Sequence, residues 1–145
     1  MNASAGRSGP TRPADEQHGP VADDRYRLRS WQRLKRPVHF QEAFEQHRPQ
    51  VGRYMVLWVR RAGDARLRLG VIASRKIGGA VVRNRARRRL REAWRLNRPL
   101  FSGTVDVVLV ARYRINRASG AAVEQELRQL AARAGLCADM EERTT

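Results

Sequence analysis

The sequence predicts a small α+β fold, a split βαβ sandwich with helices packed on a mostly buried sheet. Three observations predict it. Apolar residues recur at three- and four-residue steps around Val38–His47, Val82–Trp94 and Val123–Ala134, which is helical spacing. Tyr54–Val59 and Val105–Ala111 are aromatic or β-branched runs of strand length. These segments follow one another as helix, strands, helix, strand, helix, with no internal repeat.

Met1 to Arg29 is rich in Gly, Pro, Ser, Asp and Arg without sustained periodicity, and is expected to be a disordered extension. The folded domain is expected over residues 30–136, with 137–145 as a flexible tail. Within Trp31–His47, Pro37 suits a helix entry, and Phe40 and Phe44 fall one turn apart on one face. Pro49 and Gly52 end that element. Arg53–Arg61 reads as a strand, Ala62-Gly63-Asp64-Ala65 as a turn and Arg66–Ser74 as the returning strand of a hairpin. Ile77-Gly78-Gly79-Ala80 leads into a helix over Val82–Arg98, which Asn97 and Pro99 close. Phe101–Thr104 is a turn, and Val105–Ala111 is apolar enough to be a central strand. Asn116–Gly120 links it to a last helix over Ala121–Ala134. There Val123, Leu127, Leu130 and Ala134 form the buried stripe, and Gly135 marks the stop.

Charge narrows the function. The 145-residue chain carries 30 Lys and Arg against 14 Asp and Glu, a formal net charge of +16, which attracts polyanions. All the basic residues except Lys35 and Lys76 are arginine, the side chain that grips phosphate as a planar fork and stacks on bases. A GC-rich coding sequence also favours arginine, so position matters more than count. No apolar run approaches the roughly 20 residues of a membrane span, and Met1–Pro20 lacks a secretory apolar core. A cytoplasmic protein is expected, with no membrane partner. Cys137 is the single cysteine, and His18, His39 and His47 lack metal-ligand spacing, so they read as ordinary surface histidines.

On a helical wheel of Val82–Arg98, one side collects Val82, Ala86, Leu90, Ala93 and Trp94. The other collects Asn84, Arg87, Arg88, Arg91, Arg95 and Arg98, with Arg83, Arg85 and Arg89 at the flanks. Eight arginines stand here against Glu92 alone, so neighbours at i,i+4 mostly repel unless a polyanion neutralises them. No partner helix precedes this one, as a DNA-reading helix-turn-helix would require, and its narrow alanine-rich apolar side suits a sheet better than a membrane. Phe40, Phe44 and Trp58 suit a stacking surface for unpaired RNA bases or ordinary core packing; the residues alone leave both open. No Ser/His/Asp set, Cys/His set or carboxylate pair suggests protein-borne catalysis.

The run from Arg68 to Glu92 (RLGVIASRKIGGAVVRNRARRRLRE) resembles the signature of the bacterial ribonuclease P protein family. It combines a glycine-valine strand, a basic pair, a Gly-x-Ala-Val turn and an Arg-Asn-Arg opening to the basic helix. His39–Phe44 is similar to that family's first helix, and Asp106–Arg112 to the strand after the motif helix. The resemblance implies a two-layer α/β sandwich with a four-stranded sheet, ribosomal protein S5 domain 2-like, with a left-handed βαβ crossover carrying the Arg-Asn-Arg helix.

It also implies a subunit of an endoribonuclease that removes the 5′ leader of precursor tRNA. Catalysis would lie in the RNA subunit with Mg2+ bound mainly there, and no obligate protein partner is expected. Arg83, Asn84, Arg85, Arg87, Arg88, Arg91 and Arg95 would face the RNA subunit. Phe40, Phe44, Val56 and Trp58 would line a cleft for the single-stranded leader, with Ser74, Arg75 and Lys76 nearby. His39 and Trp58 depart from the family's usual acid and smaller aromatic, and the 29-residue leading segment has no counterpart in its short members. A non-enzymatic RNA-binding protein of ribosomal type fits the composition and fold class equally well.

Overall fold

The apolar strand Val105–Ala111 takes an inner position in a four-stranded sheet. The computed structural model describes residues 28–46 and 48–137. Its helices are α1 (Pro37–Glu45), α2 (Ala80–Asn97) and α3 (Gly120–Arg133). Its strands are β1 (Gln50–Val51), β2 (Met55–Arg61), β3 (Leu69–Ile72) and β4 (Val105–Ala111), in the spatial order β1-β2-β4-β3. The readings made for Met1–Arg27, His47 and the tail from Ala138 lie outside the described residues. Leu28 and Cys137, the first and last described residues, are both buried.

The expected hairpin does not form. β2 pairs antiparallel with β4, from Met55↔Ala111 to Arg61↔Val105, and β3 pairs parallel with β4, from Leu69↔Val107 to Ile72↔Val110. β4 therefore separates the two strands that were read as neighbours. All its residues but Val110 are buried, so it is the strand that gains most from being covered on both faces and paired on both edges. The return strand is also shorter than Arg66–Ser74. Its backbone before Leu69 is held by a side chain: Asp106 Oδ1 accepts from the amides of Arg66 (3.1 Å) and Arg68 (2.9 Å). Between them Leu67 adopts a left-handed φ of 58°, and its amide donates to the Val105 carbonyl at 2.6 Å.

Helix ends follow local chemistry. Pro37 occupies the first turn of α1, where its missing N–H costs nothing. α2 begins two residues before the expected Val82, behind Gly78 (φ 151°). Ser119 caps α3 by accepting from the Ala122 amide at 3.1 Å, and Gly135 (φ 82°) ends it as expected.

The sheet has two unlike faces. One buries Met55, Leu57, Leu69, Val107 and Leu109 beneath α2 (Ala86, Leu90, Ala93, Trp94) and α3 (Val123, Leu127, Leu130). Trp94 is fully buried and packs on Phe101 with ring centroids 4.7 Å apart. Against the other face lies α1, with Leu34, Ala43 and Val108 as a small second core.

A buried charge cluster joins these layers. Arg60, 3% exposed, donates to Glu42 of α1, to Asp64 of the loop and to Asp106 of β4, each at 2.7 Å. Arg68 adds a bond of 2.9 Å to Asp106. Burial alone would lower the Arg60 pKa, but bonds to three carboxylates raise it above its ordinary value. His39 is buried beside this cluster, with Nε2 3.5 Å from Asp64, and is not the surface residue its spacing suggested.

Candidate nucleic-acid interface

The wheel drawn for α2 matches its environment. Ala86, Leu90, Ala93, Trp94 and Asn97 face the core. Asn84, Arg85 and Arg88 are exposed, and Arg83, Arg87, Arg91 and Arg95 are half-buried along the flanks. Arg87 donates to the Asn84 carbonyl oxygen one turn back. Arg91 is the most telling of the set. Burial, then the positive charges of Arg33 and Arg87, pull its pKa below the ordinary arginine value. An arginine stays protonated at neutral pH, so a bound anion would offset the repulsion from Arg33 and Arg87.

Two arginines of the helix behave differently. Arg89, read as a flank residue, turns inward and donates to the carbonyls of Ile115 (3.4 Å) and Ala118, fixing the turn Tyr113–Arg117. Arg95 pairs with Glu92 at 2.5 Å, which shares out part of its charge. Arg33, absent from the sequence-derived set, adds its positive charge to that of Arg87 in lowering the Arg91 pKa. No periodicity could have found it, since it precedes α1 and reaches them only through the fold.

The apolar residues expected to line a cleft lie on the opposite face of the sheet. Register explains its floor: Trp58 stands beside Val108, which stands beside Gly70, and Val56 beside Val110 beside Ile72. Phe40 and Phe44 of α1 form the wall. Phe44 meets Trp58 edge to face, with centroids 5.1 Å apart and planes at 83°. Phe40, Phe44, Val56, Trp58, Ile72 and Val110 are all half-buried. Their exposed halves leave ring and aliphatic surface facing solvent, as a base-stacking floor requires. Ser74, Arg75 and Lys76 follow β3 directly and are exposed.

The four predicted cleft residues thus come together. Ile72, Val108 and Val110 complete the floor and were missed, because their phase depends on which strands pair.

Gly70 is required by this geometry. A methyl group there would overlap the Phe40 ring. Gly70→Ala is therefore expected to displace Phe40 and lower stability by about 1–3 kcal/mol, measured by thermal unfolding. An unchanged Tm would show that the ring gives way freely.

Comparison with known proteins decides the family. A family model described as Ribonuclease P matches residues 28–135. The chain belongs to the ribonuclease P protein family. The ribonuclease P protein component of Symbiobacterium thermophilum is 39% identical over 105 residues, covering 72% of this chain and 91% of that protein. That of Chloroflexus aurantiacus is 41% identical over 85 residues, but the match spans only 63% of its length. Among solved structures, the RNase P protein from Thermotoga maritima superposes with a TM-score of 0.62 at 28% identity, covering 70% of this chain and 96% of that one. The Staphylococcus aureus RNase P protein gives a TM-score of 0.65 at 22% identity, covering 73% and 97%, a likeness of fold.

Family membership gives the two surfaces a common frame. The Arg-Asn-Arg opening of α2 and the aromatic side chains of α1 lie on opposite sides of one sheet. Among the described residues no helix is long and apolar enough to cross a membrane.

Proposed function

We propose that this chain is the protein subunit of a cytoplasmic ribonuclease P. The face of α2 formed by Arg83, Asn84, Arg85, Arg87, Arg88 and Arg91 docks on the catalytic RNA subunit. The cleft of Phe40, Phe44, Val56 and Trp58 takes the single-stranded 5′ leader of precursor tRNA, with Ser74, Arg75 and Lys76 at its margin. The carrying observation is the arginine-bearing side of α2, with Arg85 and Arg88 exposed and Arg83, Arg87 and Arg91 half-buried beside them, in a chain of this family.

The division of labour follows from the side chains. Hydrolysis of one phosphodiester bond leaves a 5′-phosphate on the mature tRNA and a 3′-hydroxyl on the leader. Mg2+, held mainly by the RNA subunit, would supply charge stabilisation and an activated water for that step. This chain contributes position: guanidinium groups neutralise backbone phosphates, and the aromatic floor holds unpaired bases so that the scissile bond is presented in register.

Reconstitution tests the reading. At low magnesium, adding the protein to a bacterial RNase P RNA should restore removal of the leader from precursor tRNA. Failure both to bind that RNA and to promote cleavage would overturn it, leaving a ribosomal-type RNA-binding role.

Phe44→Ala is expected to weaken holoenzyme binding of leader-bearing tRNA by roughly 5- to 100-fold, the value of one stacked base. Mature tRNA, which has no leader, should bind as before. Equal losses for both substrates would mean that Phe44 only packs.

A further inference from the structure

The turn Ser30–Gln32 presents Trp31 to solvent with 65% of its surface exposed, an unusual setting for the largest side chain. The exposure is imposed by the fold. Leu28 before the turn and Leu34 after it are buried, and the Leu34 amide donates to the Leu69 carbonyl at 2.8 Å. Gln32, also buried, closes the turn by accepting from the Arg29 amide at 2.8 Å, while Lys35 donates to Ser30. With both flanks fixed, the indole has no route back to the core.

Its neighbourhood is cationic and lies along the edge of α2. Arg33 forms a parallel bridge with Leu69 on the outer edge of β3, the strand against which α2 packs. The charge of Arg33 reaches Arg91 of α2. Residues 28–36 include Arg29, Arg33, Lys35 and Arg36 and no acid. An exposed indole on a fixed turn among basic residues suits an unpaired base of an anionic strand, by stacking on its face. It does not suit an acidic-free apolar protein surface, which the surrounding charges would repel by their desolvation cost.

We propose that Trp31 stacks on an unpaired base of RNase P RNA, extending the contact of α2 across Arg33 to the turn before α1. The proposal rests on α2 being the face that binds that RNA. It assigns base recognition to a segment outside the basic helix, while the helix itself holds phosphates.

The test is titration of the full chain with RNase P RNA alone, without tRNA, across a salt series. Trp31→Ala should weaken binding roughly 5- to 100-fold with the salt slope unchanged, because a stacking contact releases no counterion. Trp31→Tyr should keep most of the affinity, and RNA should quench tryptophan emission in the native chain but far less in Trp31→Phe. Native-like affinity for Trp31→Ala, beside weakened binding by Arg91→Ala, would overturn the stacking contact alone. A reduced salt slope for Trp31→Ala, or an equal loss in Trp31→Tyr, would also overturn it. If Arg91→Ala too binds normally, the docking role of α2 falls as well.

Discussion

Asp106→Ala is expected to destabilise the folded chain by about 3–5 kcal/mol, the cost of removing the fully buried partner from an ion cluster. The carboxylate is fully buried and accepts from Arg60, from both the backbone and side chain of Arg68, and from the Arg66 amide. Removing it leaves Arg60 with Glu42 and Asp64 but no partner on β4, and frees the segment leading into β3. Chemical denaturation at neutral pH measures the loss.

A pH series gives a second reading of the same group. Burial would raise the Asp106 pKa, but bonds from Arg68, from the Arg68 and Arg66 amides and from Arg60 outweigh it and hold the pKa below the ordinary 3.8. A group with a depressed folded pKa contributes stability that is complete above its unfolded value and is lost as pH falls through the folded one. The native chain should therefore lose stability as the pH drops below about 4. Asp106→Ala should lack that part of the decline. An unaltered acid limb would mean that other carboxylates dominate it.

Arg87→Ala combined with Arg91→Ala carries the largest expected effect on function. Each phosphate contact contributes roughly 0.7–0.9 to the slope of log affinity against log salt, so the double variant should lower that slope by about 1.4–1.8. Affinity for RNase P RNA should fall most at low salt, where counterion release contributes most. Folding should be preserved, because both guanidinium groups lie on the flank of α2 and not in its buried stripe.

Local features were legible in the sequence, and pairings were not. Pro37, Gly135 and the Val123–Leu127–Leu130 stripe mark helices through contacts made within a few residues. The largely apolar run Val105–Ala111 identified a covered strand. Yet β2 and β3 carry patterns that fit a hairpin as well as they fit opposite edges of β4, and only the competition for β4 decides between them. Asp106 reads as one polar residue in an apolar strand. Its partners Arg60 and Arg68 lie about 40 residues away.

The same distinction runs through the interface. Phe40 and Phe44 are one turn apart, so their common face was visible, whereas Ile72 and Val110 join them only through strand register. Arg87 and Arg91 share a helix face, but Arg33 meets them across the edge of β3. The resemblance around Arg83-Asn84-Arg85 supplied what pattern could not: which polyanion the basic helix meets.

The most direct measurement is hydroxyl-radical footprinting of RNase P RNA with the native protein, the Arg87→Ala/Arg91→Ala variant and Phe44→Ala. One discrete patch of RNA backbone should be protected by the native chain, kept by Phe44→Ala and lost with the double arginine variant. No protected patch, or one that survives loss of both arginines, would contradict the assignment of α2 as the face that docks on the RNA subunit.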